Sequence, residues 1–190
     1  MSFLPDPVAG KARFAAMAGT REASFDDLTA LAAELFEVPI CLVMLLVDGR
    51  LLIKSGFGLE ADEMPSPEVF CLDASHGDDI LEVDDTLENP GFANHPLVTG
   101  PEKMRYYAGA PLRAPEGVLM GAFCLLDRRP RRLMPAQRKT LQLLARQVMV
   151  HLQHQQNATV LELRSQDLNE TARIARFGKW RSDVATGVLE

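Results

Sequence analysis

Cys71 is the side chain whose type and position first raise the question of chemistry. A cysteine acts as a nucleophile or as an attachment point for a cofactor when it is a thiolate, and a thiolate is stabilised by positively charged neighbours. The neighbours Glu68, Asp73 and Asp78 are acidic and oppose thiolate formation. We therefore interpret Cys71 as a structural residue or as part of a pocket wall.

Two histidines, His76 and His95, could contribute to a site near Cys71. A metal or haem site requires several converging ligands, and two lone histidines without a defined spacing do not provide them. Either histidine could contact a ligand, and the alternative for each is a structural role. His151 and His154, which lie among glutamines, are expected to be exposed. The sequence predicts no metal site, and it does not identify a cofactor.

Asp84 and two tyrosines complete the polar candidates. Asp84 and the adjacent Asp85 could accept hydrogen bonds from a ligand or cap a turn, and the turn is the commoner role. Tyr106 and Tyr107 are adjacent in a predicted strand, so their side chains point to opposite faces of a sheet and one of them should face a pocket. There is no Gly-rich phosphate loop, nucleophile elbow or HExxH motif. The sequence therefore predicts no catalytic site.

A predicted β-hairpin at the centre of the chain positions these residues. Its arms are 104–112 and 117–126, and a turn joins them at 113–117. The second arm is apolar at both odd and even positions, which is typical of a strand covered on both faces. Small residues in the two arms leave room for something to lie close to the sheet. They are Gly109, Ala110, Gly121 and Ala122.

Further elements are predicted on either side of this hairpin. A helix beginning near Ser24 has Leu28, Leu31, Ala32, Leu35 and Phe36 on one predicted core face. A second hairpin, 40–55, turns at Asp48-Gly49, and a short helix 68–76 and a strand 80–83 follow. The loop 84–101 is long for a compact domain. A long helix begins at Pro135, behind Met134, which is a poor N-cap.

These segments resemble a GAF domain of bacterial sensor proteins. The stretches FANHPLVTGP, YYAGAPL and GAFCLLD followed by RRPR are similar to its second half, and IKSGFGL followed by Phe70-Cys71 is similar to its first half. The resemblance implies an α/β (α+β) fold with a central antiparallel sheet of five or six strands. Helices would cover one face, a ligand-pocket loop region would cover the other, and a long C-terminal helix would follow. The implied pocket residues are Phe70, Cys71, His76, Asp84, Phe92, His95, Tyr106 and Tyr107.

The resemblance also implies how the chain is divided. Residues 1–22 would form an arm, 23–153 the GAF domain and 154–170 a signalling helix, and 171–190 resemble the start of a PAS domain. A helix reaching about residue 169 would be roughly 50 Å long and would extend past the domain. Its distal leucines Leu161, Leu163 and Leu168 would then need a partner, and a parallel homodimer is the simplest. The alternative is that this segment folds back onto its own PAS-like strand.

Composition excludes several classes of protein. The net charge of −6 gives no electrostatic footprint for nucleic acid, and the basic residues 128–132 are interpreted as a solvated loop. No stretch is apolar enough to span a membrane, and the N-terminus does not resemble a signal peptide. Three cysteines without CxxC spacing argue against a disulfide framework and for the reducing cytoplasm.

The resemblance implies a non-enzymatic sensory module that relays the state of its pocket through the C-terminal helix. The parent would be a histidine kinase or a cyclic-di-GMP signalling protein, and a small molecule is a possible ligand. One alternative is an enzyme like the GAF-type free methionine sulfoxide reductases, although the spacing of their cysteines is not reproduced by Cys41, Cys71 and Cys124. The other is a dimerisation scaffold with a vestigial pocket.

Overall fold

The computed structural model describes residues 23–48, 50–59 and 79–176, and for residues 159, 160 and 162–176 it describes the helical backbone alone. The predicted helix 68–76 lies outside the described residues. The elements in chain order are α1 (Ala23–Phe36), β1 (Ile40–Val47), β2 (Arg50–Phe57), β3 (Leu81–Val83), α2 (Pro96–Thr99), β4 (Tyr106–Arg113), β5 (Leu119–Asp127) and α3 (Pro135–Arg176).

Five strands form one antiparallel sheet in the order β2-β1-β5-β4-β3. The predicted central hairpin is β4 and β5, and its turn is closed by a hydrogen bond from the Ala114 N–H to the Val118 carbonyl. The second predicted hairpin is β1 and β2, with Asp48 in the positive-φ conformation that a type I′ turn requires. The predicted fold class and the five-stranded sheet are confirmed.

Each face of the sheet carries its own apolar cluster, because β5 is apolar on both sides. Phe123 and Leu125 face the helices α1 and α3, while Cys124 and Leu126 face the opposite side. That opposite side, called here the second face, is covered by residues of the segment between β3 and β4, such as Phe92. The predicted arrangement of helices on one face and a loop region on the other is therefore observed.

The buried face of α1 agrees with the predicted one only in part. Ala32 and Phe36 are buried as predicted, and Leu28 is partly buried. Leu31 and Leu35 are both 54% exposed, and the side chains that pack on the sheet are rotated around the helix from them. The buried residues of α1 are Phe25, Thr29, Ala32, Ala33 and Phe36.

Hydrogen bonds explain this rotation of α1. The Ser55 hydroxyl donates to Asp26 Oδ1 at 2.6 Å and lies 3.1 Å from Thr29 Oγ1, which fixes these two polar positions of α1 against β2. The predicted face was based on apolar residues alone and did not include these polar contacts. The prediction that Leu31 and Leu35 are buried was therefore wrong.

A β-bulge in β2 brings Ser55 into this contact. Val43 pairs with Ser55 while Met44 pairs with Ile53, so Lys54 is an extra residue on its strand. Both Lys54 and Ser55 are buried, and Lys54 Nζ lies 5.5 Å from the centre of the Phe25 ring on α1. Two successive side chains thus face the same helix.

The helix α3 begins at Pro135 as predicted and continues to Arg176, beyond the predicted end near residue 169. No Gly or Pro interrupts the chain before Gly178, so nothing in 170–176 stops a helix. Residues up to Leu152 belong to one compact unit and those from Gln153 to another. Within the part of the chain that the structure describes, no helix is long and apolar enough to cross a membrane.

The start of α3 has half of a capping box. Gln137 Oε1 accepts a hydrogen bond from the Met134 backbone N–H at 3.0 Å, but the methionine side chain has no oxygen to return the bond. Replacing the exposed Met134 with threonine is expected to raise the free energy of unfolding by about 1 kcal/mol. Urea denaturation measures the change. Met134→Ala is the control, and an equal gain in both variants would contradict the capping argument.

Candidate ligand-binding site

Phe92, Tyr107 and Cys124 lie together on the second face of the sheet. The ring centres of Phe92 and Tyr107 are 6.3 Å apart, with the ring planes inclined by 30°. The Tyr107 hydroxyl lies 3.2 Å from Cys124 Sγ, within hydrogen-bonding distance for these two groups. All three side chains are buried. This cluster is the part of the predicted site that the described residues bring together.

The space beside Gly109 is occupied by the protein itself. A Cβ atom at Gly109 would lie 2.1 Å from the Tyr107 hydroxyl oxygen, so the tyrosine ring lies along its own strand. The small residue at this position predicted room for another group, and the group is the phenol of Tyr107. Gly109 is therefore required for the position of Tyr107.

Tyr106 lies on the opposite face, in the cluster covered by the helices. Its hydroxyl donates a hydrogen bond to Glu82 Oε1 at 3.2 Å. Burial and the nearby Glu82 carboxylate raise the pKa of the Tyr106 phenol well above its usual value. Of the two candidate tyrosines, Tyr107 is the one beside Phe92.

His95 has a structural role at the start of α2. Its Nδ1 accepts a hydrogen bond from the Leu97 backbone N–H at 3.1 Å, so the imidazole acts as the N-cap of this short helix. The side chain is buried. A histidine in a loop before a proline does not by itself signal this role, which explains why the sequence left it open.

The two aspartates after β3 form turn and ion-pair contacts. Asp84 is half-exposed, and its carboxylate lies 3.5 Å from Arg132 Nε. Asp85 Oδ1 accepts from the Leu87 backbone N–H at 3.1 Å, and both its oxygens bind Arg105. The Arg105 guanidinium lowers the pKa of Asp85 below its usual value. The contact of Asp85 with Leu87 is the predicted turn role, whereas the described side-chain contact of Asp84 is an ion pair.

Three candidate residues, Phe70, Cys71 and His76, lie outside the described residues. A cavity walled by Phe70, Cys71, Phe92 and one of the two tyrosines therefore stays a prediction. In the described ranges 23–48, 50–59 and 79–176, no group of three or more His, Cys, Asp or Glu side chains could hold a metal ion.

A polar cluster that the sequence did not predict joins β3 to α3. Glu82, whose side chain is 5% exposed, accepts a hydrogen bond from the Leu133 backbone N–H at 2.6 Å and is ion-paired with Arg138. Arg138 Nη1 also lies 3.7 Å from Asp79. A glutamate in a strand of three residues looks like a solvent-facing position, so the sequence carried no signal for its burial.

The two described cysteines lie on opposite faces of the sheet. Cys41 belongs to the cluster under the helices, and Cys124 belongs to the second face. Burial raises the pKa of the Cys41 thiol well above its usual value, which disfavours the thiolate. These two residues are not arranged as a pair of attacking and resolving thiols.

Comparison with known proteins gives a family and a set of relatives. The sequence pattern of the family described as GAF domain matches residues 20–152. A cyclic di-GMP phosphodiesterase from Pseudomonas aeruginosa is 36% identical to this chain over 107 residues, which are 56% of this chain and 18% of that protein. The chain therefore spans less than a fifth of the length of this relative.

Several solved structures share the fold. A domain from a protein described as a two-component sensor histidine kinase of Sinorhizobium meliloti is similar with a TM-score of 0.60 and 15% identity, covering 76% of this chain and 99% of that one. The blue-light absorbing form of the PixJ GAF-domain of Thermosynechococcus elongatus has a TM-score of 0.58 and 17% identity, over 88% and 98%. A type II free methionine-R-sulfoxide reductase of Thermoplasma acidophilum has a TM-score of 0.56 and 17% identity, over 70% and 92%.

Proposed function

The chain belongs to the GAF domain family, and from that premise we propose that it is a sensory and regulatory module of a bacterial signalling protein. The module itself performs no catalysis in this proposal, and any output enzyme domain lies outside this chain. The parent is a histidine kinase or a cyclic di-GMP signalling protein of the cytoplasm. The similarity to part of a cyclic di-GMP phosphodiesterase supports the second type of parent.

The observation that carries the proposal is the buried contact between β3 and α3, called here the Glu82–Arg138 bridge. Glu82 belongs to the edge strand that precedes the loop over the second face, and Arg138 belongs to the first turn of the helix that leaves the sheet. Their ion pair is reinforced by the Tyr106 hydroxyl and the Leu133 N–H. In the proposed mechanism, a change at the sheet edge reaches the exit helix through these direct contacts.

The adjacent tyrosines of β4 connect this bridge to the candidate site. Tyr107 faces the Phe92 cluster, while Tyr106 faces the helices and bonds Glu82. In the proposed mechanism a small ligand on the second face binds one arrangement of β4 and α3 more tightly than another. Such a difference in affinity is what allows a ligand to shift an equilibrium between two conformations.

Hydrogen exchange tests this relay without knowledge of the ligand. Tyr107→Phe removes the hydroxyl beside Cys124 and is expected to change the exchange rates of α3 amides near Arg138. In a Glu82→Gln background the same substitution should have a smaller effect, since the bridge is weakened. Met44→Leu, a conservative change on the same face but on β1, is the control. Unchanged rates in α3, or an equal change with Met44→Leu, would contradict the relay.

We further propose a homodimer formed by exposed apolar residues of α1 and α3. Leu31 and Leu35 on α1 and Leu143 and Val150 on α3 are each close to half exposed, and Leu161 further along α3 is also exposed. Exposed apolar side chains at helical spacing favour association with another surface. A parallel pairing around a two-fold axis would bring both downstream domains out on the same side.

Leu143→Glu is expected to weaken this dimer about ten-fold or more, because it places a charge within an apolar contact. Light scattering at tens of micromolar, on the full chain and on a version ending at Gln153, measures the association. The control is Leu87→Glu, since Leu87 is 50% exposed and Leu143 is 47% exposed, but Leu87 lies in the loop after β3. The dimer proposal would be contradicted if the unmodified chain were a monomer, or if the two variants had equal effects on association.

The end of the chain is proposed to lead into a PAS domain. The residues that carry this resemblance lie mainly in 177–190, outside the described residues, while 171–176 continue α3. In this proposal 154–170 are the signalling helix between the two domains.

Free methionine sulfoxide reductase activity is the alternative, and the similarity to the Thermoplasma enzyme is the reason to test it. We expect no turnover of free methionine sulfoxide in the presence of a thiol reductant, because Cys41 and Cys124 lie on opposite faces. A coupled turnover assay on the full chain checks this. Turnover that disappears in Cys71→Ser would instead assign the chain to the enzymes.

A further inference from the structure

Each of the two helices that cover the sheet, α1 and α3, carries one exposed stripe in which charged and apolar residues alternate. Every member of a stripe has another member three or four positions away, so the members share one face of their helix. The α1 stripe consists of Asp27, Leu31, Glu34 and Leu35, and the α3 stripe consists of Lys139, Leu143, Arg146 and Val150. Both stripes lie within the first compact unit.

The two stripes carry opposite charges. The charged residues of the α1 stripe are acidic, and those of the α3 stripe are basic. The sequence has no aspartate or glutamate from residue 135 to residue 161, so neighbours on the same helix cannot neutralise the α3 stripe. Within the described part of the chain, none of these four charged side chains forms an ion pair or a hydrogen bond. Their charges are therefore available to a second molecule.

The helices α1 and α3 run antiparallel on the sheet. Near the start of α1, the centre of the Phe25 ring lies 5.8 Å from the centre of the His151 ring. Just past the end of α1, the Glu37 carbonyl oxygen accepts a hydrogen bond at 2.6 Å from Arg131, which precedes the start of α3. The two stripes therefore form one surface that points away from the sheet, acidic along α1 and basic along α3.

We propose that this surface sets how two copies of the chain pair, with the α1 stripe of each copy against the α3 stripe of the other. This pairing rests on the homodimer proposed above and specifies its contacts. A two-fold axis parallel to the helices keeps both α3 helices parallel and exchanges left and right, so it places α1 of one copy opposite α3 of the other. An acidic stripe then meets a basic one, which is favoured over contact between two basic α3 stripes.

The rings of Phe25 and His151 set the register of this pairing. A rotation about an axis parallel to the helices keeps each residue at its height, so the register within one copy also holds between the copies. Counted from this ring contact, each carboxylate lies three residues, or about 4.5 Å along the axis, from a basic residue with a long side chain. The pairs are Asp27 with Arg146 and Glu34 with Lys139, and Leu31 comes opposite Leu143 between them.

This pairing links the exit helix of each copy to the sheet of the other. Each α3 contacts α1 of the other copy, and α1 is held on β2 by the hydrogen bond from Ser55 to Asp26. A change in the packing of α3 in one copy therefore alters contacts of the sheet in the other, which couples the two copies.

Charge reversal on the full chain tests the pairing, with the dissociation constant of the dimer measured by analytical ultracentrifugation. Glu34→Lys is expected to weaken the homodimer about ten-fold, because attraction becomes repulsion at two symmetric contacts. Lys139→Glu should have an effect of similar size. The double variant, Glu34→Lys with Lys139→Glu, should restore most of the affinity, because both partners of each contact are reversed.

Glu88→Lys is the matched control, since Glu88 is an exposed glutamate in the loop that covers the second face. It should leave the affinity unchanged. A mixture of Glu34→Lys copies and Lys139→Glu copies should form heterodimers in preference to either homodimer, because every reversed contact then joins opposite charges.

The outcomes separate this pairing from the homodimer on which it rests. If the unmodified chain is a monomer, both are overturned. If it dimerises but Glu34→Lys has no larger effect than Glu88→Lys, or if the double variant stays as weak as the single ones, the pairing alone is overturned. Contact between two α3 stripes would leave the single variants nearly unchanged, because like charges face each other before and after the reversal.

Discussion

Replacing Gly121 with alanine is expected to lower the free energy of unfolding by about 4 kcal/mol, through backbone strain and steric overlap together. Gly121 has a φ of +157° in the central strand β5, and a Cβ atom there would lie 1.9 Å from the Met44 carbonyl oxygen. Gly121 pairs with Leu45 on one side and with Leu112 on the other, so neither neighbouring strand can move away easily. Urea denaturation monitored by circular dichroism measures the loss.

Gly117→Ala is the matched control for this prediction. Gly117 also has a positive φ, +80°, but no atom lies within 4 Å of the position that its Cβ would take. It should therefore show the backbone strain alone, on the order of 1 kcal/mol. Similar losses for the two variants would mean that the overlap with Met44 is relieved at little cost.

Glu82→Ala is expected to lower the free energy of unfolding by about 3 kcal/mol, because it leaves buried partners without an acceptor. The carboxylate of Glu82 accepts from the Leu133 N–H at 2.6 Å and from the Tyr106 hydroxyl, and it pairs with Arg138. Arg138 is partly solvated, so water recovers part of the energy of the lost ion pair. Glu82→Gln, which keeps an acceptor oxygen, should cost less.

Asp84→Ala provides the comparison two residues away. The Asp84 side chain is 52% exposed, and its contact with Arg132 is long, at 3.5 Å. An exposed ion pair of this kind contributes no more than about 0.5 kcal/mol to the free energy of unfolding. A loss as large as that of Glu82→Ala would show that the charge near β3, and not the buried contact, stabilises the structure.

The sequence predicted the sheet well because its strands have strong local signals. The run from Leu119 to Leu126 is apolar on both faces, and Asp48-Gly49 specifies a tight turn. The rotation of α1 could not be predicted in the same way, because it depends on the contact between Asp26 and Ser55, which are 29 residues apart. The bulge at Lys54 that permits this contact has no local signature either.

The candidate site could be predicted only in part. The alternation of Tyr106 and Tyr107 follows from strand geometry, but which of them lies beside Phe92 depends on the register of β4 against its neighbours. The role of His95 as an N-cap depends on the backbone of a four-residue helix. Small residues such as Gly109 indicate that something lies close, and they do not tell whether it is a ligand or the neighbouring phenol.

The strand order has a consequence for the way the chain folds. The pairs β1 with β2 and β4 with β5 are hairpins of neighbouring strands, whereas the central pair, β1 with β5, joins strands that are far apart in the sequence. Local hairpins form in microseconds, but closing the long intervening loop has a larger entropic cost and comes later. We therefore expect docking of the two hairpins to be the slow step of folding. The contact between Gly121 and Met44 lies at the β1–β5 pairing that this step creates.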